Sequence, residues 1–351
     1  MGLRVGAYIY VASKNVLICM ILKERIKLLV QLGQYMTANE KEWQETKLKA
    51  FGQNNWFTIP FIDLAVQNIS TQFLQKEQLL TLAEKYQIPE SNNFPKKIGL
   101  VLPGNIPLVG FHDLLCVFIT GHYAFVKTST KDEALISHLI KKLIEWNNES
   151  APYFTLNEFL KGCDAYIATG SNNTSRYFEY YFRDVPHVIR KNRTSVAVLN
   201  GEETKEETEK LADDVHQYFG LGCRNVTKIF VPNRYDFVPI VNAFKKYNDF
   251  LDHNKYKNNY DYNLAVLLLN NKYYMTSGST LLVQDKALFS PISQLNYEYY
   301  DHKNELRESL EKNESIQCII GKEYMPFGMA QCPQIFTFAD GVDTLKFLMD
   351  L

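Results

Sequence analysis

The chain has 351 residues, 46% of them apolar and 22% charged, with a formal net charge of -1. That length exceeds one ordinary core and suits two domains with appendages, and the near-neutral balance excludes a protein built mainly to grip nucleic acid. Six scattered cysteines, without C-x-x-C spacing or a histidine cluster beside them, point away from a disulfide framework and a metal site and towards reduced thiols in a cytoplasmic protein.

Residues 1–22 are fairly apolar, but Arg4 and Lys14 interrupt them and Lys23 follows directly. No uninterrupted span of about 20 residues is left for an integral membrane helix, and no small-residue cleavage site follows an apolar run. Met20 reads as the natural start, with the preceding residues an extension. From Ile21 to Tyr86 the pattern is helical: Leu22, Ile26, Leu29 and Val30 make a buried stripe, Asn54–Phe57 a loop, and Pro60–Tyr86 a second amphipathic stretch. Residues 1–95 are therefore expected as a helical N-terminal region.

The texture changes at Lys97. Ile98–Leu102 reads as a buried strand ended by Pro103-Gly104, Leu108–Thr120 as a helix, and Ala124–Lys127 as a second strand. Ala134–Glu145 reads as a helix, with strands at Asp164–Ala168, His187–Arg190 and Ser195–Leu199. This rhythm predicts βαβ units and a parallel sheet over residues 96–200. Ligands of such sheets bind at the carboxyl ends of the strands, where Pro103–Asn105, Lys127–Ser129 and Thr169–Ser171 all fall. Residues 201–351 follow as a second α/β unit, with a solvated helix over Glu202–Tyr218 and strands at Val226–Val231, Leu264–Leu269 and Ser279–Val283.

Phe219-Gly220-Leu221-Gly222-Cys223-Arg224-Asn225 is the most informative segment. A cysteine between glycines and a strand lies on permissive backbone that a substrate can approach, and successive N–H groups there would stabilise a thiolate and then an oxyanion. The other five cysteines read as small buried hydrophobes. Asn105 offers an amide N–H to a developing negative charge, or caps the next helix. Lys127 ends a strand where a nucleotide ribose or phosphate would sit, and Thr169-Gly170-Ser171 precedes a helix N-terminus suited to a dinucleotide. His216 is expected as a surface histidine. His112 and His122 are expected in structural roles, Arg190, Lys191 and Arg193 as a solvated face that CoA phosphates would also suit, and Asp213-Asp214 as a charged helix face.

The run Pro103–Pro107, Val126–Ser129, Thr169–Ser171 and Gly222-Cys223 resembles the aldehyde-dehydrogenase superfamily, and most closely its LuxC-type acyl-CoA reductases, over roughly residues 95–345. The resemblance implies an α/β fold with a Rossmann-like dinucleotide domain beside a catalytic domain. It implies that Cys223 attacks an acyl thioester, that Asn105 and the Cys223 N–H hold the oxyanion, and that Lys127, Thr169, Gly170 and Ser171 meet NADPH or NADH, with NADPH favoured. Pro326-Phe327-Gly328 and Ile335–Phe338 look like the family's closing segment. Homo-oligomers, and a partner enzyme that donates the acyl group or consumes the aldehyde, fit the same resemblance.

Two departures matter. Hydrolytic aldehyde dehydrogenases carry a glutamate in an E-L-G-G stretch, and Val198-Leu199-Asn200-Gly201 reads as the nearest equivalent, with Val198 in the glutamate's place. The second glutamate, expected just before Phe-Gly, is absent too; Glu323 comes too early. Without a base to activate water an acyl-enzyme survives to accept hydride, which favours a reductase. A thioesterase or acyltransferase using the same thiol, or a non-catalytic nucleotide-binding module, stands as the alternative.

Overall fold

The computed structural model describes residues 20–170 and 172–351; the expectations about residues 1–19, Cys19 included, and about Ser171 lie outside the described residues. Four helices come first: α1 (Leu22–Thr37), α2 (Lys41–Gln53), α3 (Ile59–Gln72) and α4 (Lys76–Lys85). Leu22, Ile26 and Leu29 are buried as their spacing requires. Arg25, which the pattern sets among the polar positions, is buried as well, and its Nε donates to the Ile119 carbonyl at 3.2 Å. The second expected stretch breaks at Phe73–Gln75 into α3 and α4.

Among the described residues, five parallel strands form the first sheet. They are β1 (Lys97–Val101), β2 (Tyr123–Lys127), β3 (Phe154–Leu156), β4 (Ala165–Thr169) and β5 (His187–Arg190), in the order β3-β2-β1-β4-β5. Helices α5 (Phe111–Ile119), α6 (Glu133–Trp146) and α7 (Asn172–Phe182) make the crossovers. Chain direction across the sheet reverses between β1 and β4, so the loops after those strands splay apart and leave a crevice.

The second sheet holds β6 (Thr194–Val198), β7 (Val226–Pro232), β8 (Met275–Thr276), β9 (Leu281–Gln284), β10 (Gln294–Tyr300) and β11 (Ile316–Ile320), in the order β11-β6-β7-β10-β9-β8. Its pairs are parallel except β8 against β9. Helices α8 (Lys205–His216), α9 (Val238–Phe244), α10 (Asn254–Leu269), α11 (Lys303–Glu311) and α12 (Thr344–Met349) complete the chain. Helix α8 starts on a reciprocal cap: Thr204 Oγ1 accepts the Glu207 N–H at 3.2 Å while the Glu207 carboxylate accepts the Thr204 N–H at 2.8 Å.

Two expected elements are corrected. The strand expected at Ser195–Leu199 exists, but it pairs with β7 and β11 in the second sheet, so the expected 96–200 segment divides between the two sheets. Leu264–Leu269 is the end of helix α10 and not a strand; Tyr256, Tyr260, Asn263 and Leu267 are its buried face, while Leu268 and Leu269 face outward. A short apolar run satisfies either period, and here the buried tyrosines upstream set the helical one.

One apolar core joins α1–α4 to the first sheet, and Ile335, Leu345 and Leu348 from the C-terminal segment return to it. The second sheet has its own core, including Leu211, Val226, Ile229 and Leu295. No helix among the described residues is long and apolar enough to cross a membrane.

Candidate active site

The carboxyl edge of the first sheet collects the expected side chains. Asn105 lies in the loop between β1 and α5, Lys127 ends β2, and Thr169 with Gly170 leads from β4 into α7. Cys223 arrives from the other sheet, just ahead of β7. All five residues line one cavity of about 800 Å³. The Asn105 amide donates to the Leu221 carbonyl at 2.8 Å, two residues before the thiol.

Backbone of unusual hand carries the chain to Cys223. Tyr218, Phe219 and Gly220 have φ of 55°, 57° and 74°, a left-handed turn that costs non-glycine residues about 1–2 kcal/mol each. Ring packing holds it: Phe61 lies 5.2 Å from Tyr218 and 5.1 Å from Phe219, and Phe250 lies 4.5 Å from Phe219, all between centroids. Past the thiol, buried Asn225 ties the loop together. Its Oδ1 accepts the Gly222 N–H at 2.8 Å, and its Nδ2 meets the carbonyls of Asp214, Val215 and Gln217. Ser195 Oγ donates to the Cys223 carbonyl at 3.1 Å.

Cys223 also borders a second, apolar cavity of about 140 Å³, with Ala65, Ile69, Ile106, Tyr218 and Pro333 among its walls. The half-buried thiol is therefore the partition between an oily pocket and a polar cleft. Burial pushes its pKa up to about 11; Arg224 opposes the rise, and Asp340 and Cys318 add to it. The expected thiolate is thus not the resting form, because desolvation outweighs the single neighbouring cation. Alkylation of Cys223 by iodoacetamide is expected to speed up about tenfold per pH unit from pH 7 to pH 10, and a plateau below pH 9 in a pH series read by intact mass would contradict this burial.

The basic cluster is a solvated face only in part: Lys191 is exposed, Arg193 half-buried and Arg190 buried. Arg190 is buried and grips both carboxylate oxygens of buried Asp113, and its Nη2 reaches Thr344 Oγ1 at 2.8 Å. Arg193 Nε faces Asp340 Oδ1 at 3.5 Å, and Lys191 Nζ faces Glu179 Oε1 at 3.0 Å. Arg190–Arg193, Asp113 and Asp340 all line the cleft. Val198 does not; it is buried in β6 against Phe230, Leu310 and Ile316. The segment that leaves the last strand of the first sheet and enters the cleft is Arg190–Arg193, so basic groups stand where chain and sheet meet the thiol. Glu203 is occupied elsewhere, accepting from the Asn200 N–H at 2.7 Å and the Tyr235 hydroxyl at 3.0 Å.

Other expectations resolve by position. His216 is buried, not surface-exposed; Nε2 pairs with Thr280 Oγ1 at 2.7 Å, and desolvation lowers its pKa to about 4. Asp213 bonds Lys246 and Tyr247, but Asp214 turns inward. Its carboxylate accepts the Gly328 N–H at 2.7 Å and the Ala330 N–H at 3.0 Å, and burial raises its pKa to about 7. His112 and His122 bond the Ile335 and Leu348 carbonyls at 2.9 and 3.0 Å. Cys116 and Cys163 are buried; Cys318 and Cys332 are half-buried. Sequence reasoning missed Asp113, Asp340 and Gln331 as neighbours of the site, since each reaches it from a different element, and it gave no role to Arg224 beside the thiol.

A Cβ on Gly104 would lie 2.5 Å from Ser129 Oγ, so only glycine lets the β1 loop pass so close to the end of β2. Lys127, Thr128, Ser129 and Lys131 gather there, and Thr174 and Phe178 of α7 are also among the cleft walls. Among the described residues no group of three or more His, Cys, Asp or Glu is placed to hold a metal ion.

Comparison with curated proteins returned no match. The family model described as acyl-CoA reductase (LuxC) matches residues 72–242. Similar solved structures include aldehyde dehydrogenase 21 from Physcomitrella patens in complex with the reaction product succinate, at 12% identity and TM-score 0.68, covering 95% of this chain and 85% of that one. An aldehyde dehydrogenase of Mycobacterium tuberculosis complexed with NAD+ gives 13% identity and TM-score 0.61, over 85% of this chain and 72% of that one. The substrate-bound AldH of Staphylococcus aureus gives 14% and 0.58, over 87% and 77%. The chain is thus similar to the LuxC acyl-CoA reductases over residues 72–242 and has the fold of the aldehyde dehydrogenases.

Proposed function

We propose that the protein is an NAD(P)H-dependent acyl-CoA reductase that carries its acyl group on Cys223. One observation supports this above the others: the thiol borders both an apolar cavity fit for an acyl chain and a polar cleft fit for a dinucleotide. In this reading residues 97–190 form the cofactor domain and residues 194–332 the thiol domain, with the N-terminal helices walling the acyl cavity.

The Cys223 sulfur adds to the thioester carbonyl, forming an S–C bond. Asn105 and the Cys223 N–H hold the oxyanion, and collapse breaks the bond to CoA. The thiol proton leaves with CoA as its free thiol, so acylation is balanced without an external base. Lys127, Thr169 and Gly170 would hold NAD(P)H, which would supply the hydride that, with one solvent proton, would turn the acyl-cysteine into aldehyde and free thiol. Water gains little from the chain during this interval, since the cleft carboxylates Asp113 and Asp340 are held by Arg190 and Arg193. Lys127 and Lys131, both among the cleft walls, favour a 2′-phosphate and hence NADPH.

Incubation with an acyl-CoA is expected to add one acyl mass to Cys223 and release one CoA, and NADPH is then expected to discharge the adduct as aldehyde. An adduct that water clears equally fast without NADPH would make the protein a thioesterase, and no adduct at all would end the proposal.

A further inference from the structure

Gln331 sits in the loop that Asp214 pins through the Gly328 and Ala330 N–H groups, and its own carbonyl accepts from Asn68 Nδ2 at 3.0 Å. Its side chain is buried at 5% exposure and lines the apolar cavity that Cys223 borders. The amide Nε2 has no hydrogen-bond partner among the described residues. A buried amide left in that state costs about 1–3 kcal/mol. Its level in the cavity is fixed by Gly222, where an added Cβ would lie 3.4 Å from Nε2. The idle donor is therefore beside the residue that precedes the nucleophile and not at the far end of the cavity. Asn105, by contrast, already spends an N–H on Leu221.

We infer that Gln331 is a second side-chain donor to the acyl carbonyl: Nε2 bonds the thioester oxygen as the chain enters the apolar cavity and holds the oxyanion when the sulfur adds. This inference rests on the reductase reading and assigns a residue that reading does not use. An acyl oxygen is the acceptor the location calls for, because the reacting carbon must come within bonding distance of Cys223, which lines the same cavity as Gln331.

The test is the full-length Gln331→Met variant, which keeps length and volume and removes the donor. Single-turnover acylation with octanoyl-CoA, followed by intact mass and CoA release, is expected to slow by about 10²-fold. Two further readings separate donation from scaffolding. The thermal midpoint is expected to hold or rise, since an unpaired buried amide is gone, and alkylation of Cys223 by iodoacetamide, which builds no oxyanion, is expected to stay within twofold of the parent. Acylation within twofold of the parent overturns the inference, as does equal slowing of acylation and alkylation. A parent protein that takes up no octanoyl group overturns this inference and the reductase reading together.

Discussion

Cys223→Ala is expected to lower acyl-CoA-dependent NADPH oxidation by about 10⁴-fold or more, the scale on which loss of a nucleophile acts when the rest of a site survives. No other described thiol is placed to take over. Cys116 and Cys163 are buried away from both cavities, and Cys318 and Cys332 line neither. The cofactor cleft keeps its other walls in this variant, so NADPH affinity by fluorescence titration is expected to stay within about threefold, less than 1 kcal/mol. Residual turnover near the parent rate would move the chemistry to another group. A parallel loss of NADPH binding would mean that the loop and not the sulfur had been disturbed.

The largest expected effect on stability lies across the cleft. Asp113→Ala removes the carboxylate that grips the buried Arg190 guanidinium, leaving Thr344 as its remaining side-chain partner among the described residues. A buried charge deprived of its partner destabilises by about 3–5 kcal/mol, which for a chain of this size shifts the urea midpoint clearly without changing the slope. The paired replacement Asp113→Leu with Arg190→Met is expected to recover most of the loss, because it is the stranded charge and not the missing attraction that costs so much. An unchanged midpoint in Asp113→Ala would show that solvent reaches Arg190.

Much of the cleft could be read from the chain because parallel strands impose a simple rule. Alternating apolar strands and helices put Asn105, Lys127, Thr169 and Gly170 at carboxyl ends, and one sheet gathers those ends on one edge. The placement of Cys223 in a loop just before β7 was legible from the glycines that precede it. What failed was long-range information. The rhythm of Thr194–Val198 is the same whichever sheet it joins, and only pairing with β7 and β11 decides. The same limit hid the true course of the segment entering the cleft, so Val198 drew attention that belongs to Arg190–Arg193. Leu264–Leu269 failed for a different reason: six residues fit either period. His216 and Asp214 look like solvated residues on a charged helix, and their burial follows from how α8 packs against the aromatic residues after α9 and the loop after β11. The thiol's raised pKa could not be foreseen, since desolvation belongs to the folded cavity and not to its neighbours in sequence.

The left-handed turn at Tyr218–Gly220 has a mechanical consequence. The Phe61 ring of helix α3 helps to keep it coiled, and the same helix supplies Ala65 and Ile69 to the oily pocket beside Tyr218. If the pocket takes a hydrocarbon tail, as the reductase reading holds, that tail would bear on the same helix that clamps the turn ahead of the sulfur, so chain fit and the aim of the nucleophile would be coupled.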